Sequence, residues 1–198
     1  MRRSDRSNKA SKYITAIVIA LVISVILGFL LDIVITKIEY KAYKKPDEYA
    51  QYIEKYSEKY DVPEHVIYSV IKAESGFDRK AESGAGAIGL MQMMPDTFEE
   101  LTDIHLKEYL DVSMLYDAET SIRYGTFYLS YLYGIYGEWS VVFAAYNAGP
   151  GNVRDWLEDE TYSSDGKTLD KIPFKETRNY VSRVNRYIEK YDELYNEK

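Results

Sequence analysis

The chain has 198 residues, of which 46% are hydrophobic and 29% charged, enough for one globular domain with accessory segments. Its formal net charge of −7 argues against nucleic-acid partners, because proteins that bind nucleic acid need basic surfaces to neutralise phosphates. The sequence has no cysteine, which excludes disulfides and thiolate metal sites, and its two histidines, His65 and His105, are too few for a multi-histidine metal centre.

The N-terminal part contains an apolar run over residues 13–35, in which Asp32 is the one charged residue. This run exceeds the roughly 20 residues that suffice for a helix to cross a bilayer. Five basic residues precede it: Arg2, Arg3, Arg6, Lys9 and Lys12. This excess of positive charge predicts that the N-terminus stays in the cytoplasm and that the rest of the chain is exported. A cleaved signal peptide is the alternative, but the run is longer than a usual signal core and no A-x-A-like site follows Leu31. We predict three segments: a cytoplasmic N-terminus over 1–12, a plasma-membrane anchor over 13–37 and a linker over 38–46.

The rest of the chain has a helical pattern almost throughout. Residues 47–60 place apolar and aromatic groups on one helix face. Asp61 and Pro63 then offer a cap and a first-turn proline for a helix through Ala73, whose apolar stripe belongs in a core. Small residues at 82–87 predict a loop. Four further helices are expected: a short one from Pro95, one from about Ala118 to Tyr136, one over 138–147 that stops at Gly149-Pro150-Gly151, and one from Glu176 to about Tyr195.

Glu74 lies at the C-terminal end of the predicted apolar helix and is followed by Ser75-Gly76-Phe77. The helix dipole disfavours negative charge at this end, and apolar neighbours can shield the carboxyl from water. Desolvation raises the pKa of a carboxylic acid and keeps it protonated near neutral pH, as a general acid requires. A solvated carboxylate at a helix end is the alternative, and these local features alone do not remove it.

Two further segments combine glycine turns with isolated polar side chains. Residues 83–95 contain three glycines and one amide, Gln92, within an apolar run. The glycines suit a sharp turn or a close approach to a ligand, and Gln92 is either a hydrogen-bonded core residue or a ligand contact. Downstream, Tyr146 and Asn147 come at a helix end just before Gly149. Asn147 could equally be an ordinary C-terminal helix residue.

Together these residues resemble the catalytic module of the soluble lytic transglycosylase family, which is related to goose-type lysozyme. The resemblance runs from about Tyr49 to Tyr191. It follows four motifs in order: Glu74-Ser75-Gly76-Phe77; Ser83 through Gly86-Ala87 to Gly89-Leu90-Met91-Gln92-Met93-Met94-Pro95; Ala145-Tyr146-Asn147-Ala148-Gly149-Pro150-Gly151; and Ile172-Pro173-Phe174-Lys175-Glu176-Thr177 leading to Tyr180-Val181. The four at this spacing are highly specific. The resemblance implies an all-α, lysozyme-like catalytic domain over residues 47–198, preceded by a single transmembrane helix.

The resemblance also implies a reaction on peptidoglycan glycan strands, with cleavage of the β-1,4 bond between N-acetylmuramic acid and N-acetylglucosamine. By motif position, Glu74 would give a proton to the glycosidic oxygen. It would then accept one from the C6 hydroxyl of the muramic acid as that group attacks C1, leaving a 1,6-anhydro end. This internal nucleophile removes the need for the second carboxylate of ordinary glycosidases. No metal and no cofactor is expected.

The other motif positions imply substrate or site contacts by six residues: Ser83, Met91, Gln92, Tyr146, Asn147 and Tyr180. Met91 would form an apolar wall against a sugar, with core packing as the alternative. Glu176 would orient Tyr146 or a loop, or would simply be a first-turn carboxylate favoured by the helix dipole. Many of the 21 tyrosines recur at helical spacing and are expected to pack, among them Tyr124, Tyr128 and Tyr131.

Two alternative functions stay open at this point. One is a goose-type lysozyme-like hydrolase, in which water attacks the same bond. The other is a non-catalytic glycan-binding component of an envelope-spanning machine, against which the intact Glu74 argues.

Overall fold

The computed structural model describes the backbone of residues 2–195 and the side chains of residue 15 and residues 17–195. Met1 of the predicted cytoplasmic segment and residues 196–198 of the predicted catalytic domain lie outside the described residues. So do the side chains of the basic residues that precede the apolar run. The chain divides into two units, Met1–Lys44 and Lys45–Lys198.

The first unit is one long helix, α1 (Arg2–Ala42). Within its stretch Ile17–Ala42, an 18-residue segment has a mean hydropathy of 3.0 and is not buried inside the protein, and the stretch is long and apolar enough to cross a membrane. A signal sequence would pass the same test of length and composition. The helix continues past residue 37 because no glycine or proline interrupts it until Pro46, so residues 38–42 of the predicted linker are helical.

The second unit is helical, and its described residues contain isolated bridges but no strand. The all-α class expected from the sequence is confirmed. Its helices are α2 (Asp47–Tyr60), α3 (Glu64–Glu74), α4 (Pro95–Glu100), α5 (Ala118–Tyr136), α6 (Trp139–Ala148), α7 (Pro150–Glu158) and α8 (Lys175–Tyr195). A π-helical turn (Leu101–Leu106) and a 3₁₀ turn (Val112–Tyr116) connect α4 to α5.

Two details of the predicted helix ends are wrong. Asp61 does not cap α3; it ends α2 in the left-handed conformation, with φ of 54°, which an aspartate tolerates better than most residues. Pro63 is the residue before α3 and not part of its first turn. In addition, the break at Gly149-Pro150-Gly151 is a single residue long, because Pro150 starts the unpredicted helix α7. Proline suits that position because its fixed φ is helical and its missing N–H would be unpaired there anyway.

The apolar stripe of α3 forms part of the core, as predicted. Val66, Ile67, Val70 and Ile71 are at most 1% exposed, and burial of each such side chain contributes about 1.5–3 kcal/mol. Helix α3 packs against α2 and α8, while α6 packs against α5, α7 and α8. Helix α8 therefore contacts both α3, which ends at Glu74, and α6, which ends just after Asn147.

Candidate active site

Glu74 is the last residue of α3 and is partly buried. Burial raises the pKa of its carboxyl from 4.5 to about 7. The negative charge of Glu176 acts in the same direction, whereas the Tyr180 hydroxyl and the Arg183 guanidinium lower the pKa. Glu74 is therefore not an ordinary solvated carboxylate, and near neutral pH a substantial fraction of it carries a proton.

Ser75 ties the end of α3 to the loop that the second motif forms. Its hydroxyl donates to the backbone carbonyl of Leu90 at 2.8 Å and accepts from the backbone N–H of Phe77 at 3.2 Å. Phe77 has a φ of 72° and its ring stacks on Tyr49 at 6.4 Å between centroids. A positive φ at a bulky residue is costly and persists where surrounding contacts enforce it. Ser75 and Phe77 thus fix the direction in which the chain leaves Glu74.

The loop of residues 83–95 is held by its own hydrogen bonds. Ile88 and Met93 exchange two backbone bonds of 3.0 and 3.1 Å, and the Ser83 hydroxyl accepts from the backbone N–H of Ala87 at 3.0 Å. Gly89 has a φ of 81°, and a Cβ there would clash with the backbone carbonyl of Leu115. The close approach expected for a glycine of this loop is therefore the approach of Gly89 to the backbone of Leu115. The Ser83 hydroxyl stabilises the turn that leads to Ala87.

Gln92 braces the same loop, with a φ of 48°. Its side-chain amide nitrogen donates to the carbonyls of Ala81 and Gly89, both at 3.0 Å. Two carbonyl acceptors fix the orientation of the amide, because only the NH₂ end can donate to them. In the part of the chain that the structure describes, the Oε1 atom accepts no hydrogen bond, so a substrate N–H or O–H could use it.

Met91 is a core residue, and its predicted place on the wall of the sugar site is wrong. The side chain is fully buried and faces Gly125 of α5, where a Cβ would lie 2.8 Å from Met91 Cβ. The backbone N–H donates to the Ser121 hydroxyl at 3.2 Å, and the carbonyl accepts from the Tyr146 hydroxyl at 2.8 Å. Met91 thus anchors the loop to α5 and α6.

Asn147 lies between two adjoining pockets that share this residue and Ala148. The first has a volume of about 260 Å³ and is lined by Gln92, Met93, Met94, Thr97, Tyr128, Tyr146, Asn147, Ala148, Gly149 and Pro150. The second has a volume of about 560 Å³ and is lined by Asn147, Ala148 and residues 173–177. We call the two together the Asn147 groove. The Asn147 amide forms no hydrogen bond among the described residues and remains available to a ligand.

The α8 side of the site carries Tyr180, Arg183 and Glu176. Tyr180 is only 1% exposed, so its predicted contact with substrate is not available in this structure. Its hydroxyl lies beside the Glu74 carboxyl and, like the Arg183 Nε atom, has no well-formed hydrogen bond among the described side chains. Burial and the charge of Glu74 raise the pKa of Tyr180 well above its ordinary value, and they act on Tyr146 in the same way. The tyrosines therefore stay neutral.

Glu176 is exposed in the first turn of α8 and lines the second pocket. No described residue forms a hydrogen bond with its side chain, which fits the simpler of its two predicted roles, a first-turn carboxylate favoured by the dipole. Arg183 was not identified from the sequence. Its spacing of three residues from Tyr180 on a helix could have indicated it, because residues three apart share a helix face.

No metal site is evident at this groove. Among the described residues there is no group of three or more histidine, cysteine, aspartate and glutamate side chains that could hold a metal ion. The polar side chains that line the groove carry amides, hydroxyls, the Glu176 carboxyl and the Lys175 ammonium group.

The sequence of this chain is similar to those of lytic transglycosylases. A family model described as the transglycosylase SLT domain matches residues 51–169. The soluble lytic murein transglycosylase of Escherichia coli (strain K12) is 38% identical over 130 residues, which cover 64% of this chain and 20% of that protein. The membrane-bound lytic murein transglycosylase C of Serratia proteamaculans is 32% identical over 164 residues, covering 72% of this chain and 46% of that protein. The chain thus spans about a fifth of the first relative and under half of the second.

Two solved structures have a similar fold. An inactive Glu-to-Gln variant of the lytic transglycosylase Slt from Pseudomonas aeruginosa matches with a TM-score of 0.66 and 32% identity, over 76% of this chain and 25% of that chain. The 70-kDa soluble lytic transglycosylase of Escherichia coli matches with a TM-score of 0.65 and 33% identity, over 74% of this chain and 24% of that chain. The helical fold expected for the part of the chain that follows the apolar helix is confirmed.

Proposed function

The chain belongs to the transglycosylase SLT domain family, and from this premise we propose that it is a membrane-anchored lytic transglycosylase of peptidoglycan. Its substrate would be the β-1,4 bond between N-acetylmuramic acid and N-acetylglucosamine in glycan strands. The observation that carries the proposal is the Glu74 carboxyl, whose pKa is raised to about 7 by burial. A pKa near the working pH lets one group act first as an acid and then as a base.

The reaction needs two proton transfers by Glu74 and no water. In the first, the protonated carboxyl gives its proton to the glycosidic oxygen while the C1–O bond breaks, and the bonding electrons leave with that oxygen. In the second, the C6 hydroxyl of the same muramic acid attacks C1, and its proton returns to the Glu74 carboxylate. The nucleophile belongs to the substrate, so proximity replaces the second carboxylate of ordinary glycosidases.

Tyr180 and Arg183 would stabilise the Glu74 carboxylate between the two proton transfers. Both lower the pKa of Glu74 and thus favour its carboxylate. Each has a buried polar atom without a well-formed hydrogen bond among the described residues, and such atoms can strengthen their contact as negative charge develops. The charge is then stabilised before the C6 hydroxyl returns its proton.

Gln92 and Asn147 would position the sugars. The free Oε1 atom of Gln92 can accept from an N–H or O–H group, and the Asn147 amide can both donate and accept. N-acetyl groups of the substrate offer both functions, an N–H and a carbonyl. Tyr146, whose hydroxyl is engaged by the Met91 carbonyl, would hold the loop next to Glu74 instead of binding substrate through that hydroxyl.

The alternative function is hydrolysis of the same bond, and one observation, the position of Glu176, supports it. Of the described carboxylates, Glu176 alone raises the pKa of Glu74 by its charge, and it lines the groove where a water could be activated. A hydrolase requires such a second carboxylate, whereas the transglycosylase reaction does not.

Product analysis separates these functions. The full chain in detergent is incubated with purified peptidoglycan, and the released fragments are weighed by mass spectrometry. We expect fragments that lack one water relative to a reducing-end sugar. Glu74→Gln should lower the rate of release by at least about 100-fold, which is the lower end of the range for general acid catalysis. Glu176→Gln should still release anhydro products.

Three results would contradict the proposal. Reducing-end products that depend on Glu176 would indicate a hydrolase. Normal release by Glu74→Gln would remove Glu74 from the chemistry. Tight binding of strands without any product would favour the non-catalytic glycan-binding role.

Helix α1 supports a proposal for the location of the protein. We infer that its apolar stretch anchors the protein in the plasma membrane through residues 13–37, with residues 1–12 in the cytoplasm and the catalytic domain, residues 47–198, on the cell-wall side. The basic residues before the apolar stretch support this orientation. A membrane-bound relative supports the anchor itself.

A further inference from the structure

A row of aromatic rings leads out of the Asn147 groove along α5. The ring of Tyr146 lies 5.4 Å from that of Tyr128, and Tyr128 lies 6.5 Å from Tyr131 with their planes only 14° apart. The ring of His105 then meets Tyr131 at 4.9 Å and 63°. Tyr146 and Tyr128 line the first pocket of the groove, whereas Tyr131 does not. The row therefore joins the groove to the protein surface.

The structure separates the tyrosines of α5 that the sequence grouped together. Tyr124 is completely buried, which confirms its predicted role in packing. Tyr131 keeps 40% of its surface exposed, so packing alone does not account for it. Tyr128 and Tyr131 are three residues apart on α5 and therefore share a face of the helix.

The neighbour of Tyr131 comes from an irregular segment. His105 belongs to the π-helical turn Leu101–Leu106, and π-helical turns occur frequently at functional sites. Ile104 on the same turn is 65% exposed. The exposed ring of Tyr131 is thus held from the side by His105 at the end of the row that begins in the groove.

We propose that Tyr131, held by His105 and aligned with Tyr128, is a stacking subsite for a sugar ring of the glycan strand at a distance from the cleaved bond. The proposal rests on the proposed function, in that the strand is taken to occupy the Asn147 groove. A pyranose ring presents C–H groups on its face, and these are attracted to the electron-rich face of an aromatic ring. Continuity of the row with the groove favours a sugar of that same strand over an unrelated ligand.

The experiment measures binding of long glycan strands from which the stem peptides have been removed. Full-length protein in detergent carries Glu74→Gln so that no strand is cut during the measurement. We expect Tyr131→Ala to weaken binding about two- to tenfold, the range of a single aromatic stacking contact. Tyr131→Phe should retain the affinity, because it keeps the ring and removes only the hydroxyl.

Tyr133→Ala is the matched control. Tyr133 is 39% exposed on the same helix, but it stacks on Trp139 at 4.4 Å and lies two residues from Tyr131, on another face of α5. We expect this variant to bind like the parent. Thermal melting followed by circular dichroism verifies that each variant is folded.

Four outcomes would overturn the subsite. They are unchanged binding by folded Tyr131→Ala, an equal loss in Tyr131→Phe, an equal loss in Tyr133→Ala, and, when strands that keep their stem peptides are measured in parallel, a loss confined to those strands. Because the assay measures binding without turnover, its result is independent of product analysis. A Tyr131 effect without anhydro products would refute only the catalytic proposal, and anhydro products without a Tyr131 effect would refute only the subsite.

Discussion

The raised pKa of Glu74 makes the stability of the second unit, Lys45–Lys198, depend on pH. In the unfolded chain the carboxyl has its ordinary pKa of 4.5, and in the folded protein the pKa is about 7. Between these values the unfolded state releases its proton while the folded state keeps it, so stability falls as the pH rises. The contribution is present in full below about pH 4.5, is lost between about pH 4.5 and 7, and changes no further above pH 7.

Replacing Glu74 with glutamine removes this loss because the amide does not titrate. The difference between 4.5 and about 7 corresponds to roughly 3 kcal/mol, at about 1.4 kcal/mol for each pH unit. We expect Glu74→Gln and wild type to show their smallest difference in stability near pH 4. Between pH 4 and pH 8, the free energy of unfolding of Glu74→Gln should rise relative to that of wild type by up to about 3 kcal/mol.

Urea denaturation at a series of pH values measures the effect. Trp139 and Trp156 are the two tryptophans of the chain and both lie in the second unit, so their fluorescence follows that unit and not α1. Glu158→Gln, at the exposed end of α7, controls for the general effect of removing a carboxylate. A stability difference between Glu74→Gln and wild type that stays constant from pH 4 to pH 8 would refute the desolvation of Glu74.

Two further predictions concern Arg183 and Gly125. Arg183→Met removes a cation that favours the Glu74 carboxylate, so the alkaline limb of kcat/KM against pH should move to higher pH; an unmoved limb would contradict the contact. Gly125→Ala forces a Cβ to 2.8 Å from Met91 Cβ, an overpacking that costs about 1–3 kcal/mol and should exceed the gain of up to about 1 kcal/mol from replacing a helical glycine. Gly134→Ala on the same helix meets nothing within 4 Å and should raise stability in the same urea assay; stabilisation by Gly125→Ala would show that Met91 yields.

The helices were predictable where local signals agree with packing. Helix α5 follows Asp117, whose side chain accepts from the backbone N–H of Thr120, and it ends at Tyr136, just before Gly137 with its φ of 69°. These are the usual start and stop signals, and the predicted bounds match. Helix α7 was missed because its start, Pro150, lies between two glycines that were taken as a longer break.

The sequence predicted which residues belong to the candidate site better than it predicted where their side chains point. The motifs indicated Glu74, Gln92 and Asn147, and the structure places these at or beside one groove. They could not separate Met91, whose neighbours are apolar and whose side chain points to Gly125, from Met94, which is exposed and lines the groove. Methionine occurs both in cores and at binding surfaces, so residue type alone does not decide between them.

The sequence by itself determined the apolar helix, the helical class of the second unit and the acidic residue at the end of α3, because hydrophobic periodicity and residue type are local properties. Only the tertiary structure decided the state of that residue. Burial of Glu74 depends on α8, about a hundred positions further along the chain, which brings Tyr180 and Arg183 to its carboxyl. The same holds for Tyr124 and Tyr131, which have the same residue type and lie on the same helix, yet Tyr124 is completely buried and Tyr131 is 40% exposed.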